Sequence, residues 1–308
     1  ERTLVLIWNT LILAVAVTVI EVALIVTIMI STTEEASALA RDTVFAAVMI
    51  TINGIVGITL LIATLRRRVA VFNAEGTGGA LATVAALATM TLVLPTFTTS
   101  TPGPTFSSAQ LAYAAVASFA LYGLFVFVQT VRHRDYFLPV TAEGEPATAD
   151  EHVPPPETRV AVTSLMLLLI ALIGVVGLAK TVSPTVEEAV RTAGLPLAVV
   201  GVVIALLVLL PETLAAVRAA LRDRIQTSFN LALGSAMASI GLTIPTIAVA
   251  SIWLDPLLLL GLGATQTVLL ALTVVVGVLT VTPGRATLLQ AGVHLALFAG
   301  FLVLAVSP

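Results

Sequence analysis

Long apolar runs alternate along the chain with short polar or turn-forming connections, and each run is about twenty residues long. At 1.5 Å rise per residue, such a run crosses the ~30 Å hydrocarbon core of a bilayer as an α-helix. Nine segments are predicted: A, Leu4 to Ile30; B, Thr43 to Leu65; C, Ala80 to Thr98; D, Gln110 to Val131; E, Val160 to Leu178; F, Leu195 to Val217; G, Ser228 to Trp253; H, Thr265 to Val281; and I, Thr287 to Val306. The stretch His133 to Arg159 breaks the rhythm. It carries Glu143, Glu145, Asp150, Glu151 and Glu157 around Pro154-Pro155-Pro156, and reads as a solvated linker. The chain thus divides into a first membrane unit (1–132), a linker (133–159) and a second membrane unit (160–308).

Composition narrows this picture by exclusion. Of 308 residues, 58% are hydrophobic and 10% charged, against ~25% charged in soluble domains. The fold class is therefore an all-α polytopic membrane protein, with the lipid bilayer as its surroundings. The absence of cysteine removes disulfides and thiolate metal sites, and the scattered histidines 133, 152 and 294 argue against zinc. A net charge of −3 gives no reason to expect nucleic acid. No cofactor is expected, and the oligomeric state is left open. The chain starts at Glu1 without methionine or a signal-peptide pattern, so a preceding N-terminal piece is expected.

Charge sets the orientation, because Lys and Arg concentrate in short cytoplasmic loops. The segment before A and the B–C, D–E, F–G and H–I connections carry eleven basic residues: Arg2, the Arg66-Arg67-Arg68 anchor, Arg132, Arg134, Arg159, Arg218, Arg222, Arg224 and Arg285. The alternate connections carry three: Arg41, Lys180 and Arg191. The basic side is expected to be cytoplasmic, in a bacterial inner membrane, with the C-terminus outside.

An ionisable residue at bilayer depth costs several kcal/mol and is a functional candidate by default. Two carboxylates qualify. Glu21 lies within Thr18-Val19-Ile20-Glu21-Val22 of segment A, and Glu212 within Leu210-Pro211-Glu212-Thr213 of segment F. Pro211 lacks a backbone donor and clashes one turn back, so a kink freeing a carbonyl is expected beside Glu212. The surroundings recur. Each glutamate helix leads through an Arg-Asp pair, Arg41-Asp42 or Arg222-Asp223, into a helix with small and amide residues at its centre. Segment B has Asn53-Gly54 and Gly57; segment G has Asn230, Gly234-Ser235-Ala236, Ser239 and Gly241. A glycine there lets backbones approach or lets a helix unwind towards an ion. On the charge count A runs outward and F inward, so 11–60 and 202–245 read as inverted repeats of a secondary transporter. Two carboxylates with neutral oxygens make a hard site suited to Ca²⁺ or Na⁺.

These residues resemble the cation/proton exchangers of the calcium:cation antiporter superfamily, most closely the bacterial ChaA-type calcium/sodium–proton antiporters. The resemblance rests on Ala16 to Ile25 around Glu21, on Arg41-Asp42-Thr43-Val44-Phe45 leading to Asn53-Gly54, and on Leu210-Pro211-Glu212 leading through Asn230 to Ala232-Leu233-Gly234-Ser235-Ala236. Gly284-Arg285 and His294 to Phe298 add to it. It implies that Glu21 and Glu212 are the paired cation/proton glutamates, with Asn53 and Gly234-Ser235 lining the ion path; Thr18, Gly54, Asn230 and Ser239 join that lining. It also implies export of Ca²⁺ or monovalent cations against protons, and a ten-helix core whose first helix is absent here. The calcium branch usually has Gln where Ala238 and Ser239 stand.

The reading is thus a cation/proton antiporter, Ca²⁺/H⁺ first and Na⁺/H⁺ or K⁺/H⁺ as the alternative, with inorganic cations and protons as its partners and no enzymatic chemistry. A passive channel and an intramembrane serine protease using Ser235 and His294 are remote alternatives, the latter lacking Gly-x-Ser-Gly. His294 is read as a helix tie or proton relay, and Gln266 as an interfacial or packing residue.

Overall fold

A computed structural model describes residues 35–140, 158–254 and 258–308. Segment A, with Thr18 and Glu21, and the acidic part of the linker lie outside them. The described chain forms α1 (Glu35–Met49), a π-helical segment π1 (Ile50–Ile55) and α2 (Val56–Arg67) as one continuous rod. Next come β1 (Ala70–Val71) and α3 (Ala74–Ala88), which runs through a second π segment, Thr89–Val93, into α4 (Leu94–Phe97). The chain continues with α5 (Ser108–Phe127), α6 (Thr158–Thr192), α7 (Ala198–Val208), α8 (Leu210–Leu221), α9 (Ile225–Leu254), α10 (Ala264–Val281), β2 (Arg285–Ala286) and α11 (Leu288–Val306). Among the described residues six helices are long and apolar enough to span a membrane, and α7 with α8 makes a seventh as a bent pair.

Local chemistry explains the boundaries. Ser107 and Gln110 cap α5 reciprocally: the Ser107 hydroxyl accepts from the Gln110 N–H, and the Gln110 side-chain oxygen accepts from the Ser107 N–H at 2.9 Å. Asn73 caps α3 by accepting from the Gly76 N–H at 2.9 Å. Two expectations need correction. Segment E does not stop near Leu178, because α6 runs on through Lys180 and Pro184 to Thr192. The Glu187–Arg191 pair at 3.4 Å supports that last stretch one turn apart, and Gly194, at φ +67°, takes the left-handed conformation that ends the helix. The start of the linker is likewise not free in solvent. Residues Arg134–Phe137 form a 3₁₀ turn, and Phe137 is buried edge-on against Phe125, ring centroids 5.7 Å apart.

Loop contacts sort the connections onto two faces of the bundle, alternating as the charge pattern predicts. On one face β1 pairs antiparallel with β2, Phe72 donates its N–H to the Gly284 carbonyl at 3.0 Å, and Arg67 pairs with Asp223 at 2.8 Å. The neighbouring guanidinium holds the Asp223 carboxyl below its ordinary range. On the other face Gly261 donates to Pro104 at 3.0 Å, Leu262 to Leu92 at 2.7 Å, and Arg41 to the Gly261 carbonyl at 3.2 Å. In the core α9 runs along α5, α8 and α3, while α11 lies against α2.

Candidate functional site

The bend expected at Pro211 is present: α7 and α8 meet at 52°, with the break at Leu209. Proline is tolerated in the first turn of the new helix, where its missing N–H would have no intrahelical acceptor. That turn carries Glu212, which is 8% exposed and whose Oε2 has no hydrogen-bond partner among the described residues. A buried carboxylate oxygen without a partner is costly, and its natural relief is a proton or a cation.

Helix α9 returns beside α8, and their register is fixed by Ser228, whose hydroxyl donates to the Ala216 carbonyl at 2.7 Å. Away from the connecting turn, Glu212 lies one turn from Ala216, about 6 Å along α8, while Ser235 lies two turns from Ser228, about 10 Å along α9. Ser228 and Ser235 are seven residues apart and so share a helix face. Ser235 therefore stands on the side of α9 that meets α8, within about one turn of the level of Glu212. Its hydroxyl is also buried without a partner among the described residues. Ser239, one turn further on the same face, is buried as well.

The π1 segment packs against α8, α9, α10 and α11, and a π turn inside a helix often marks a functional position. Its Asn53 is fully buried. Asn53 Oδ1 lies 3.0 Å from His294 Nδ1, Asn53 Nδ2 donates to Thr273 Oγ1 at 2.8 Å, and His294 Nε2 lies 3.1 Å from Thr280 Oγ1. Gly57 acts here through close approach, whereas Gly54 leaves room for ordinary contact. A Cβ at Gly57 would come within 3.0 Å of Leu295 and 3.2 Å of His294 Cβ, and one at Gly54 would touch Phe298 at 3.4 Å. The rod changes hydrogen-bond register at Asn53-Gly54 and does not unwind.

The candidate residues thus fall into separate places. Glu212 and Ser235 face the α8–α9 seam, Ser239 follows one turn beyond Ser235 on α9, and Asn53 joins His294 at the centre of the bundle. Asn230 and Gly234 occupy another face of α9, where Asn230 Nδ2 donates to the Phe137 carbonyl at 2.6 Å. Glu21 and Thr18 lie outside the described residues. Thr273 and Thr280 gave no signal in the sequence, since threonine is common in membrane helices. Gln226 was also missed. It is buried, accepts from the Asn73 N–H at 2.7 Å, and donates to Thr77 Oγ1 at 3.2 Å and Asn230 Oδ1 at 3.0 Å. Gln266 donates to Asp42 Oδ1 at 3.3 Å, tying α10 to α1 at the rim.

The model of the family described as sodium/calcium exchanger protein matches residues 6–131 and 163–307, nearly the whole chain. The chain belongs to the sodium/calcium exchanger family. Two relatives agree with that placement. The chain is 48% identical over 298 residues to the "Putative ionic transporter y4hA" of Sinorhizobium fredii, covering 97% of this chain and 80% of the relative. It is 32% identical over 296 residues to the sodium-potassium/proton antiporter ChaA of Escherichia coli, covering 96% and 80%. The fold matches the crystal structure of the H⁺/Ca²⁺ exchanger CAX with a TM-score of 0.68 at 18% identity, over 98% of this chain and 80% of that one. The exchanger family moves inorganic ions across membranes, so this chain is an integral membrane transporter of the superfamily its motifs resemble.

Proposed function

We propose that this exchanger is a cation/proton antiporter in which Glu212 and Glu21 bind either a cation or protons by alternating access. The observation that carries the reading is the buried Glu212 carboxylate at the helix break, whose Oε2 has no partner among the described residues, with the likewise unpartnered Ser235 hydroxyl on the facing stripe of α9. A carboxylate that holds a proton cannot hold a metal at full charge, so one group serves both ions in turn. Asn53, Gly54, Ser239 and the segment around Thr18, Asn230 and Gly234 complete the path in this reading. Residues 1–132 and 160–308 act as the two repeats, and the Arg-rich face is cytoplasmic in a bacterial inner membrane.

Calcium is the first reading for the cation, because two carboxylates neutralise one divalent ion. The similarity to ChaA, named as a sodium-potassium/proton antiporter, favours Na⁺/H⁺ or K⁺/H⁺ exchange as the second. The test is proton flux in everted vesicles across a panel of Ca²⁺, Na⁺ and K⁺. Glu21→Gln and Glu212→Gln should each abolish cation-driven flux while the protein still inserts. Near-normal coupled flux in either variant removes that glutamate from the mechanism.

A further inference from the structure

A buried polar chain runs through Asn53, outside the glutamate site. Thr273, Asn53, Thr280 and His294 are 0–1% exposed. They come from π1, α10 and α11, so the chain ties three helices. An amide oxygen only accepts, so the 3.0 Å contact with Asn53 Oδ1 puts a proton on His294 Nδ1. The Nε2 of the neutral ring then accepts from the Thr280 hydroxyl. The carboxamide of Asn53 thus turns its oxygen towards His294 and its nitrogen towards Thr273 and, at 3.9 Å, the Met49 sulfur.

A relay is the weaker use of this chain. Among the described residues it ends in threonine hydroxyls and a thioether, with no carboxylate in it. The cavity beside the ring, about 10 Å³, is at the lower limit for one water and is walled largely by Ile52, Val56, Leu81, Phe229 and Leu233. A positional use fits better. Three polar ties converge on the one asparagine of the π segment, where the helix departs from its favoured register, and that segment also packs on α8, the helix whose first turn carries Glu212.

We propose that His294 is a positioning residue for ion exchange: its Nδ1 proton holds the Asn53 carboxamide, and with it the π1 register, in the geometry that the cation path requires. The proposal rests on the reading of Asn53 as part of that path. It predicts that His294 acts through Asn53 and on cation affinity, which a merely structural tie would not affect.

The experiment is Ca²⁺- and Na⁺-driven proton flux in proteoliposomes of the full chain with His294→Leu, His294→Gln, Asn53→Ala and the His294→Leu, Asn53→Ala double variant. His294→Leu should raise the half-saturating cation concentration about tenfold, the factor equivalent to ~1.4 kcal/mol for one buried hydrogen bond. His294→Gln, which keeps one donor and one acceptor, should restore most of that loss. The double variant should be no worse than Asn53→Ala alone, because residues acting through one contact are not additive. If His294→Leu fails to insert, Thr273→Val, which removes the tie on the other side of the amide, should raise the same concentration. A change in maximal rate alone, or losses that multiply in the double variant, overturns the proposal. Full flux in Glu212→Gln would instead overturn the glutamate mechanism, so the two failures are distinguishable.

Discussion

Gly241 offers the sharpest test of how α9 is seated. A Cβ at Gly241 would lie 2.6 Å from Tyr122 Cβ and 3.1 Å from its Cγ on α5. Carbon atoms favour separations of about 3.5–4.0 Å, so Gly241→Ala falls short by about 1 Å. Tyr122 Cβ is fixed to its backbone, so no rotamer change relieves the clash and the helices must part. Overpacking of this kind costs about 1–3 kcal/mol, against a gain of up to about 1 kcal/mol for alanine over glycine in a helix. The net expectation is a loss centred on about 1–2 kcal/mol. Gly123, exposed on α5, supplies the control: a Cβ there meets nothing within 4 Å among the described residues, so Gly123→Ala should leave stability unchanged or raise it by up to about 1 kcal/mol. Thermal unfolding of the detergent-purified protein, with ligand-free buffer held constant, reads both. A Gly241→Ala protein at least as stable as the wild type would refute the close α5–α9 packing at Tyr122.

Three further outcomes are expected. Gln226→Ala should destabilise by at least about 2 kcal/mol in the same assay, because it strands the Asn73 N–H, Thr77 hydroxyl and Asn230 oxygen together. The Asp223 carboxyl is held below its ordinary value of 3.8 by Arg67, so its contribution is present above that value and is lost as pH falls through the depressed one; Asp223→Asn should remove this acid-sensitive step, and added salt should shrink it. The chain has no native cysteine, so single cysteines at Gly103 and Arg285 can be labelled cleanly: the first should react from outside and the second only from the cytoplasm, and the reverse would invert the proposed orientation.

The sequence made the helices legible because lipid imposes a blunt rule. Every buried backbone group must pair within its own helix, so spans appear as apolar runs of fixed length. Segments C, D, G, H and I were placed to within six residues at each end. The kink at Pro211 was legible for the same reason, being written in one residue with one mechanism. Segment E was misjudged because charged Lys180 and Pro184 look like a loop, whereas a helix leaving the membrane tolerates both. The π segments carry no sequence mark, since their register is set by neighbouring helices. Glu212 stood out as a lone charge in an apolar run. Thr273 and Thr280 did not, because a threonine hydroxyl satisfies itself on its own backbone as readily as it reaches a histidine.

The central claim, one carboxylate site shared in turn by cation and proton, is tested most directly by counting protons released when the cation binds. Calorimetry of Ca²⁺ or Na⁺ binding to the purified protein in two buffers of different ionisation enthalpy gives that number. The account predicts release of between one and two protons per ion near the site's titration, weaker apparent affinity as pH falls, and loss of both effects in the Glu21→Gln, Glu212→Gln double variant. A binding isotherm unchanged from about pH 5 to 9, with no proton released, would contradict it, because an essential carboxylate that binds protons and metal in turn must trade one for the other.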